Sequence, residues 1–474
     1  MRRAGILLHI SSLPSPGFIG DLGSEAYEFV DFLRETKQSI WNILPVHPTL
    51  TELGNSPYNT TSLFAGNILF ISIDTLIKEG YLERKKYRKI YFSEKVDYRK
   101  AYAFKEKHLR EAFKNFRDSK DRDFYNFCEE NCFWLESYAL FEVMRKKYGL
   151  PWNKWKNIDV EEEEIEYIKF TQYIFFKQWF NLKNYANSKG ILIFGDMPIY
   201  PSYSSADVWS NPGIFKLNKN MKPKYVAGVP PDYFSSKGQL WGNPVYDWGE
   251  LKNQNFDWWV KRIGHALKLY DMVRIDHFRG LIAYWEVPYG SATAREGKWV
   301  KVPYRDFFNA LFKYTDRCRI VAEDLGYIDS EVREVRSKYN LRGMKVLQFA
   351  FDEDNSEYMP HNWERDTVAY TGTHDNPTLR EWLENLTEKQ RNRLLRYIGY
   401  AQGTDIIDTL IRLTYMSVAD TVIIPMQDIL RLGEEARMNK PGRKKGNWRW
   451  RLKKDVLLSA VDYLKELSET YARY

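Results

Sequence analysis

The sequence predicts an α/β fold: a (β/α)8 TIM barrel with helical insertions and long loops over its C-terminal face, and no separate C-terminal β domain. Three observations predict it. Eight short apolar runs, rich in β-branched residues, are continuous rather than alternating, as buried parallel strands are. Helix-like stretches lie between several of them. Asp196, Asp276, Glu323 and Asp375 stand at or just past the ends of four runs, where this fold gathers its functional side chains.

The runs cover 5–9, 40–44, 191–195, 272–275, 319–322, 344–349, 367–370 and 421–424. Helical spacing is read over 24–36, 258–268 and 330–338. A fourth helix, 404–414, carries an imperfect stripe of Ile406, Leu410 and Leu413. The second and third runs are far apart. The segment between them, 74–185, is rich in Lys, Glu, Tyr and Phe and reads as a helical insertion, with the acidic run 161–164 as a solvated face. A second insertion, 198–257, is rich in Pro, Gly, Ser, Trp and Tyr and reads as loop over the barrel mouth. The stretch 453–474 has helical spacing. The whole chain, 1–474, is read as a single catalytic barrel domain.

Composition narrows the function classes. The 474 residues are 44% hydrophobic and 28% charged, which fits a folded globular protein with a large core. The net charge of +8 arises from 71 basic residues spread among 63 acids, with no basic arm, so nucleic acid is not an expected partner. No apolar run is long enough to span a bilayer, so no membrane association is expected. The short run after Arg2 and Arg3 meets His9 and Pro14 and does not read as a signal peptide. Cys128, Cys132 and Cys318 are too few for a disulfide framework, and a reducing, cytoplasmic setting is expected. Cys128 and Cys132 could form half a metal site, but no second pair follows at ligand spacing. His277 and His374 likewise lack paired ligand spacing, so neither metal nor cofactor is expected.

The acids suggest chemistry on a sugar. Cleaving a glycosidic bond needs one carboxyl to protonate the leaving oxygen and another to act on the anomeric carbon. Asp276 follows Met272-Val-Arg-Ile275, and Arg274, two residues earlier, shares its strand face. A neighbouring guanidinium keeps an aspartate ionised, as a nucleophile must be. The alternative is a purely structural Arg–Asp pair. Glu323 follows Arg319-Ile-Val-Ala322, where poor solvation would raise its pKa and suit a general acid; the alternative is a helix cap or a paired glutamate. Asp324 points the other way and reads as structural. His374 and Asp375 follow a seventh run, where a third carboxylate could bind hydroxyls and stabilise an oxocarbenium-like state, or His374 could be a core histidine. Tyr58, in Asn55-Ser-Pro-Tyr-Asn59, and Trp241, in Gly238-Gln-Leu-Trp-Gly-Asn-Pro244, are candidate stacking platforms, because the turn-forming residues around both argue for exposed loops.

With those residues in place, the chain resembles the amylomaltases, the 4-α-glucanotransferases of glycoside hydrolase family 77. The resemblance runs through His9-Ile-Ser-Ser-Leu-Pro-Ser-Pro16, Ile19-Gly-Asp-Leu-Gly23, Ser56-Pro-Tyr58, Gly195-Asp-Met-Pro-Ile-Tyr200, Ala227-Gly-Val-Pro-Pro-Asp-Tyr-Phe234, Gly238-Gln-Leu-Trp-Gly-Asn-Pro244, Arg437-Met-Asn-Lys-Pro-Gly442 and Gly446-Asn-Trp-Arg-Trp-Arg451. It implies that Asp276 is the nucleophile, Glu323 the acid/base and Asp375 the transition-state stabiliser, on the fourth, fifth and seventh strands. It implies sugar contacts at Ser56, Tyr58, Asp196, Gln239, Trp241, Arg274, His374 and Asn439, and a mobile mouth loop carrying Asp232 and Phe234. The implied activity is retaining transfer of α-1,4-glucan segments to the 4-hydroxyl of an acceptor. Maltooligosaccharides and α-1,4-glucans would be donors, and glucose or maltose acceptors. An α-glucan hydrolase would use the same acids. The oligomeric state is not set by the sequence.

Overall fold

The computed structural model describes residues 2–86, 92–117, 121–156, 159–231, 236–326, 328–443 and 445–474. Eight strands form one parallel sheet: β1 (Arg3–Leu7), β2 (Ile40–Asn42), β3 (Leu192–Met197), β4 (Met272–Ile275), β5 (Ile320–Ala322), β6 (Gly343–Val346), β7 (Thr367–Tyr370) and β8 (Thr421–Pro425). Each pairs with its neighbour in chain order except β5 with β6, and β8 pairs with β1. The seam between β5 and β6 is spanned by a parallel bridge, Val321 to Arg342, with the Ala322 N–H donating to the Arg342 carbonyl at 2.8 Å. The sheet is a barrel, and its strands fall on the eight apolar runs.

The interior follows from the period of two along each strand. One apolar cluster takes Leu7, Ile40, Phe194, Met272, Val321, Met344, Val368 and Ile423, one or more residues from every strand. Two residues beyond three of these stand polar groups on the same face: Asp196 after Phe194, Arg274 after Met272, and Glu323 after Val321. The alternation that fills the barrel with apolar side chains therefore sets a charged layer at its C-terminal end. The outer faces, including Ile6, Trp41, Ile193, Val273, Ile320 and Val422, belong to a second, larger cluster shared with the surrounding helices. Gly195 faces that layer, and a Cβ there would stand 2.2 Å from the Tyr270 ring.

Helices Ser24–Glu35, Asp257–Leu269, Ser330–Lys338 and Ile406–Met416 match the sequence reading within a few residues. The connection from β6 to β7 departs from the regular pattern: it carries only 3-10 turns, Leu347–Phe351 and Pro360–Asn362, so the run 344–349 is strand only as far as Val346. Between β2 and β3, five α-helices occupy the described residues: Ile73–Lys78, Tyr98–Phe116, Arg122–Glu130, Cys132–Tyr148 and Glu162–Ser188. The last begins with Glu162, Glu163 and Glu164, which favour a helix N-terminus, and is followed after Lys189 by Gly190 with φ of +80°. The acidic run is more than a solvated face, because Arg110 forks onto Glu164 at 2.5 and 2.6 Å.

The segment 198–257 corrects the expectation of loop. Tyr225–Val229 and Gln239–Pro244 are strands, and with Ala283–Pro288 and Lys298–Lys301 they make a four-stranded antiparallel sheet. Gln239–Pro244 is an edge strand with a register shift, where glycine and proline are tolerated, and that hid it in the sequence. Trp241 therefore stands on a strand.

Candidate active site

Arg274 is the hub. It is buried, and its guanidinium donates to both oxygens of Asp196, at 2.9 and 2.7 Å, and to Oδ1 of Asp276 at 2.9 Å. One rigid planar fork thus fixes carboxylates from β3 and from the end of β4. Burial opposes the charge on Arg274, but Asp196 and Asp276 outweigh it and hold its pKa above the ordinary value. Among the described residues nothing is hydrogen-bonded to Oδ2 of Asp276, so one oxygen stays available beside a held one.

Glu323 follows β5, adjacent to β4. The His277 N–H donates to its Oε2 at 2.7 Å, and the Leu325 N–H to its Oε1 at 3.2 Å. His277 has φ of +50°, a left-handed conformation rare for a residue with a side chain. Burial pushes the Glu323 carboxyl up to about 8; Arg274 opposes the rise, the charge of Asp276 adds to it, and the His277 N–H opposes it. Asp324 faces outward, with Oδ1 accepting from the Met344 N–H at 2.7 Å and Oδ2 from Arg336 at 3.1 Å. It is a structural residue, as its alternation with Glu323 requires.

His374 and Asp375 lie beyond β7, beside the segment that carries Asn439. The Asn439 side-chain amide donates to Oδ1 of Asp375 at 2.5 Å, and the Asn439 N–H donates to the His374 carbonyl at 3.1 Å. Tyr58 joins this side to the hub. Its hydroxyl donates to Oδ2 of Asp196 at 2.7 Å, and its ring stacks on His374 with centroids 5.0 Å apart and planes 14° from parallel. That hydroxyl lies within the fields of Asp196, Arg274, Asp276 and Asp375 together. Ser56 orders the turn, its Oγ accepting from the Tyr58 N–H at 3.2 Å. The mouth sheet reaches the same place: the Trp241 indole meets the His277 ring edge-on, centroids 4.8 Å apart, and donates to the Gln239 side chain at 3.2 Å.

The structure thus brings together Ser56, Tyr58, Asp196, Gln239, Trp241, Arg274, Asp276, Glu323, His374, Asp375 and Asn439. Asp232 and Phe234 lie outside the described residues. Two participants carried no local signal as site residues. Trp448 packs its ring against Tyr58 and His374, at 6.1 and 5.9 Å, from a motif with no obvious chemistry. His277 serves through its main chain, which side-chain chemistry does not reveal. Among the described residues no cluster of His, Cys, Asp and Glu is arranged to hold a metal ion, and no helix is long and apolar enough to cross a membrane.

A parallel (β/α)8 barrel with three carboxylates and stacked aromatics at its C-terminal rim defines a class: barrel enzymes acting on glycosidic bonds. The chain belongs to glycoside hydrolase family 77, whose model, described as 4-alpha-glucanotransferase, matches residues 8–457. It is 47% identical to a 4-alpha-glucanotransferase of Aquifex aeolicus, over 100% of both chains. It is 45% identical to one of Clostridium butyricum, over 98% of this chain and 100% of the relative. Its fold superimposes on an amylomaltase from Streptococcus agalactiae, solved with acarbose, with a TM-score of 0.95, 40% identity and 100% of each chain covered.

Proposed function

We propose that this chain is a retaining 4-α-glucanotransferase acting on α-1,4-glucans, with Asp276 as nucleophile, Glu323 as acid/base and Asp375 as stabiliser. The observation that carries the reading is the pairing of Asp276, held by Arg274, with Glu323, raised to about 8, on adjacent strands joined through the His277 N–H. One carboxylate is held at Oδ1 by a guanidinium with its other oxygen free, and the other carboxyl is raised so that it carries a proton at neutral pH, which suits a nucleophile and an acid.

In the first step Oδ2 of Asp276 attacks the anomeric carbon. The bond from that carbon to the glycosidic oxygen breaks, and the oxygen takes the Glu323 proton, leaving a glucosyl ester and a carboxylate. In the second step that carboxylate removes the proton from the 4-hydroxyl of an acceptor. The acceptor oxygen attacks the same carbon, the ester bond breaks, and Asp276 is freed with the α-linkage restored. Asp375, supported by Asn439, stabilises the positive charge that develops between these states. Tyr58, Asp196, Arg274, His374 and Ser56 grip the sugar at the cleaved bond. Gln239 and Trp241, together with Asp232 and Phe234, hold the acceptor against competition from water. Maltooligosaccharides and α-1,4-glucans are the donors and glucose or maltose the acceptors. The cysteine usage suits a cytoplasmic enzyme.

Incubation with maltotriose tests this. Transfer yields a ladder of longer oligomers with free glucose while total reducing ends stay constant. Reducing ends that rise with each cleavage would replace this reading with hydrolysis.

A further inference from the structure

We infer that Arg437, braced by Glu381, is a positioning residue that sets Asp375 and Asn439 relative to each other. The inference rests on the reading that Asp375 works in the reaction. Arg437 donates to three acceptors on three segments: its Nη2 to the Asp375 carbonyl at 3.0 Å, its Nε to the Asn439 carbonyl at 2.9 Å, and its Nη1 to Oε1 of Glu381 at 2.9 Å. The bond from Asn439 to Oδ1 of Asp375 therefore has both ends tied, through the main chain, to one guanidinium.

The brace is rigid. Glu381 is buried in the helix Leu379–Glu384, whose Thr378 cap accepts from the Glu381 N–H at 3.2 Å. Its second oxygen, Oε2, is buried with no hydrogen-bond partner. A buried ion pair with one oxygen unsatisfied is a poor contributor to stability, so its use lies in fixing geometry. The three bonds leave from three separate nitrogens of one plane, a spread that the single nitrogen of an ammonium does not reproduce. Arg437 acts through Asp375 and Asn439 and is distinct from the residues proposed to contact sugar.

The test measures maltotriose disproportionation by Arg437→Gln, Arg437→Lys, Glu381→Gln, Asn439→Ala, Asp375→Asn and the double variant Arg437→Gln/Asn439→Ala, with kcat expressed per folded molecule. Arg437→Gln should lose roughly 10- to 100-fold in kcat with KM changed less than about threefold, and Arg437→Lys should not restore it. The double variant should fall little below the worse single variant, because both changes release the same bond. A wild-type kcat in Arg437→Gln, or losses that multiply fully in the double variant, would overturn the inference. If Arg437→Gln does not fold, unchanged kcat in both Arg437→Lys and Glu381→Gln overturns it instead. Wild-type activity in Asp375→Asn would mean that the underlying reading of the site had failed, whatever Arg437 does.

Discussion

The main-chain N–H of His277 donates to Oε2 of Glu323 at 2.7 Å, so the residue that follows Asp276 also holds the carboxyl on the next strand. The left-handed backbone of His277 accompanies that link. A single local conformation thus couples the two groups proposed to act in concert, and several outcomes follow from the arrangement.

Activity should fall on the alkaline side as Glu323 loses its proton. With the carboxyl at about 8, the alkaline limb of kcat/KM for maltotriose should be centred near that pH. Glu323→Gln should abolish the limb along with most turnover, by at least about 10³-fold. A wild-type profile flat through about pH 9 would show that burial does not raise this group.

The same shift predicts a stability effect that runs in the same direction with pH. Glu323 is raised when folded from an ordinary 4.5, so its protonated form stabilises the fold fully below that value and the benefit is lost as pH rises to about 8. Glutamine stays neutral throughout. Calorimetry should find Glu323→Gln melting a few degrees above wild type near pH 8, with the gap closing towards pH 4. An equal gap at both pH values contradicts the assignment.

Arg274→Lys should be far from conservative. The three donors of an ammonium sit on one nitrogen and lack the spread of the guanidinium fork, whose two nitrogens reach Asp196 and Asp276 separately, so one of the two carboxylates loses its partner. We expect kcat/KM to drop by about 10²-fold or more and the melting temperature to fall. Retention of both measures would demote Arg274 from its central place.

Tyr58→Phe keeps the stack on His374 and removes the 2.7 Å hydrogen bond to Asp196. Loss of a hydrogen bond to a buried charge costs on the order of 1.5–3 kcal/mol, so kcat/KM should fall roughly 10- to 100-fold. A fall no larger than twofold would make the ring, not the hydroxyl, the working part.

Trp241→Ala leaves Asp276 and Glu323 untouched and removes the ring against His277. If Trp241 holds the acceptor, product analysis on maltotriose should find a larger share of hydrolysis at similar total cleavage. An unchanged ratio of transfer to hydrolysis assigns that role elsewhere.

Much of the site was legible because strand alternation is a local property. Asp276 and Arg274 are two residues apart, and Asp324 faces away from Glu323, so their sides could be read along the chain. The mouth sheet could not be read this way. Among the described residues Gln239–Pro244 pairs along one edge, and it contains a glycine and a proline, so its pattern is that of a loop until Tyr225–Val229 is placed beside it. Trp448 gave no signal because its part is defined by two rings, Tyr58 and His374, that are remote in sequence.

The sequence alone determined the eight strands, the order of the acids along them and the face each takes, because burial and a period of two act over neighbouring residues. Tertiary structure decided which oxygens Arg274 holds, that His277 bonds Glu323, and that Asn439 meets Asp375. Those contacts join residues up to 78 apart in one case and 64 in another, and they exist only once the barrel closes and brings distant strand ends to one rim.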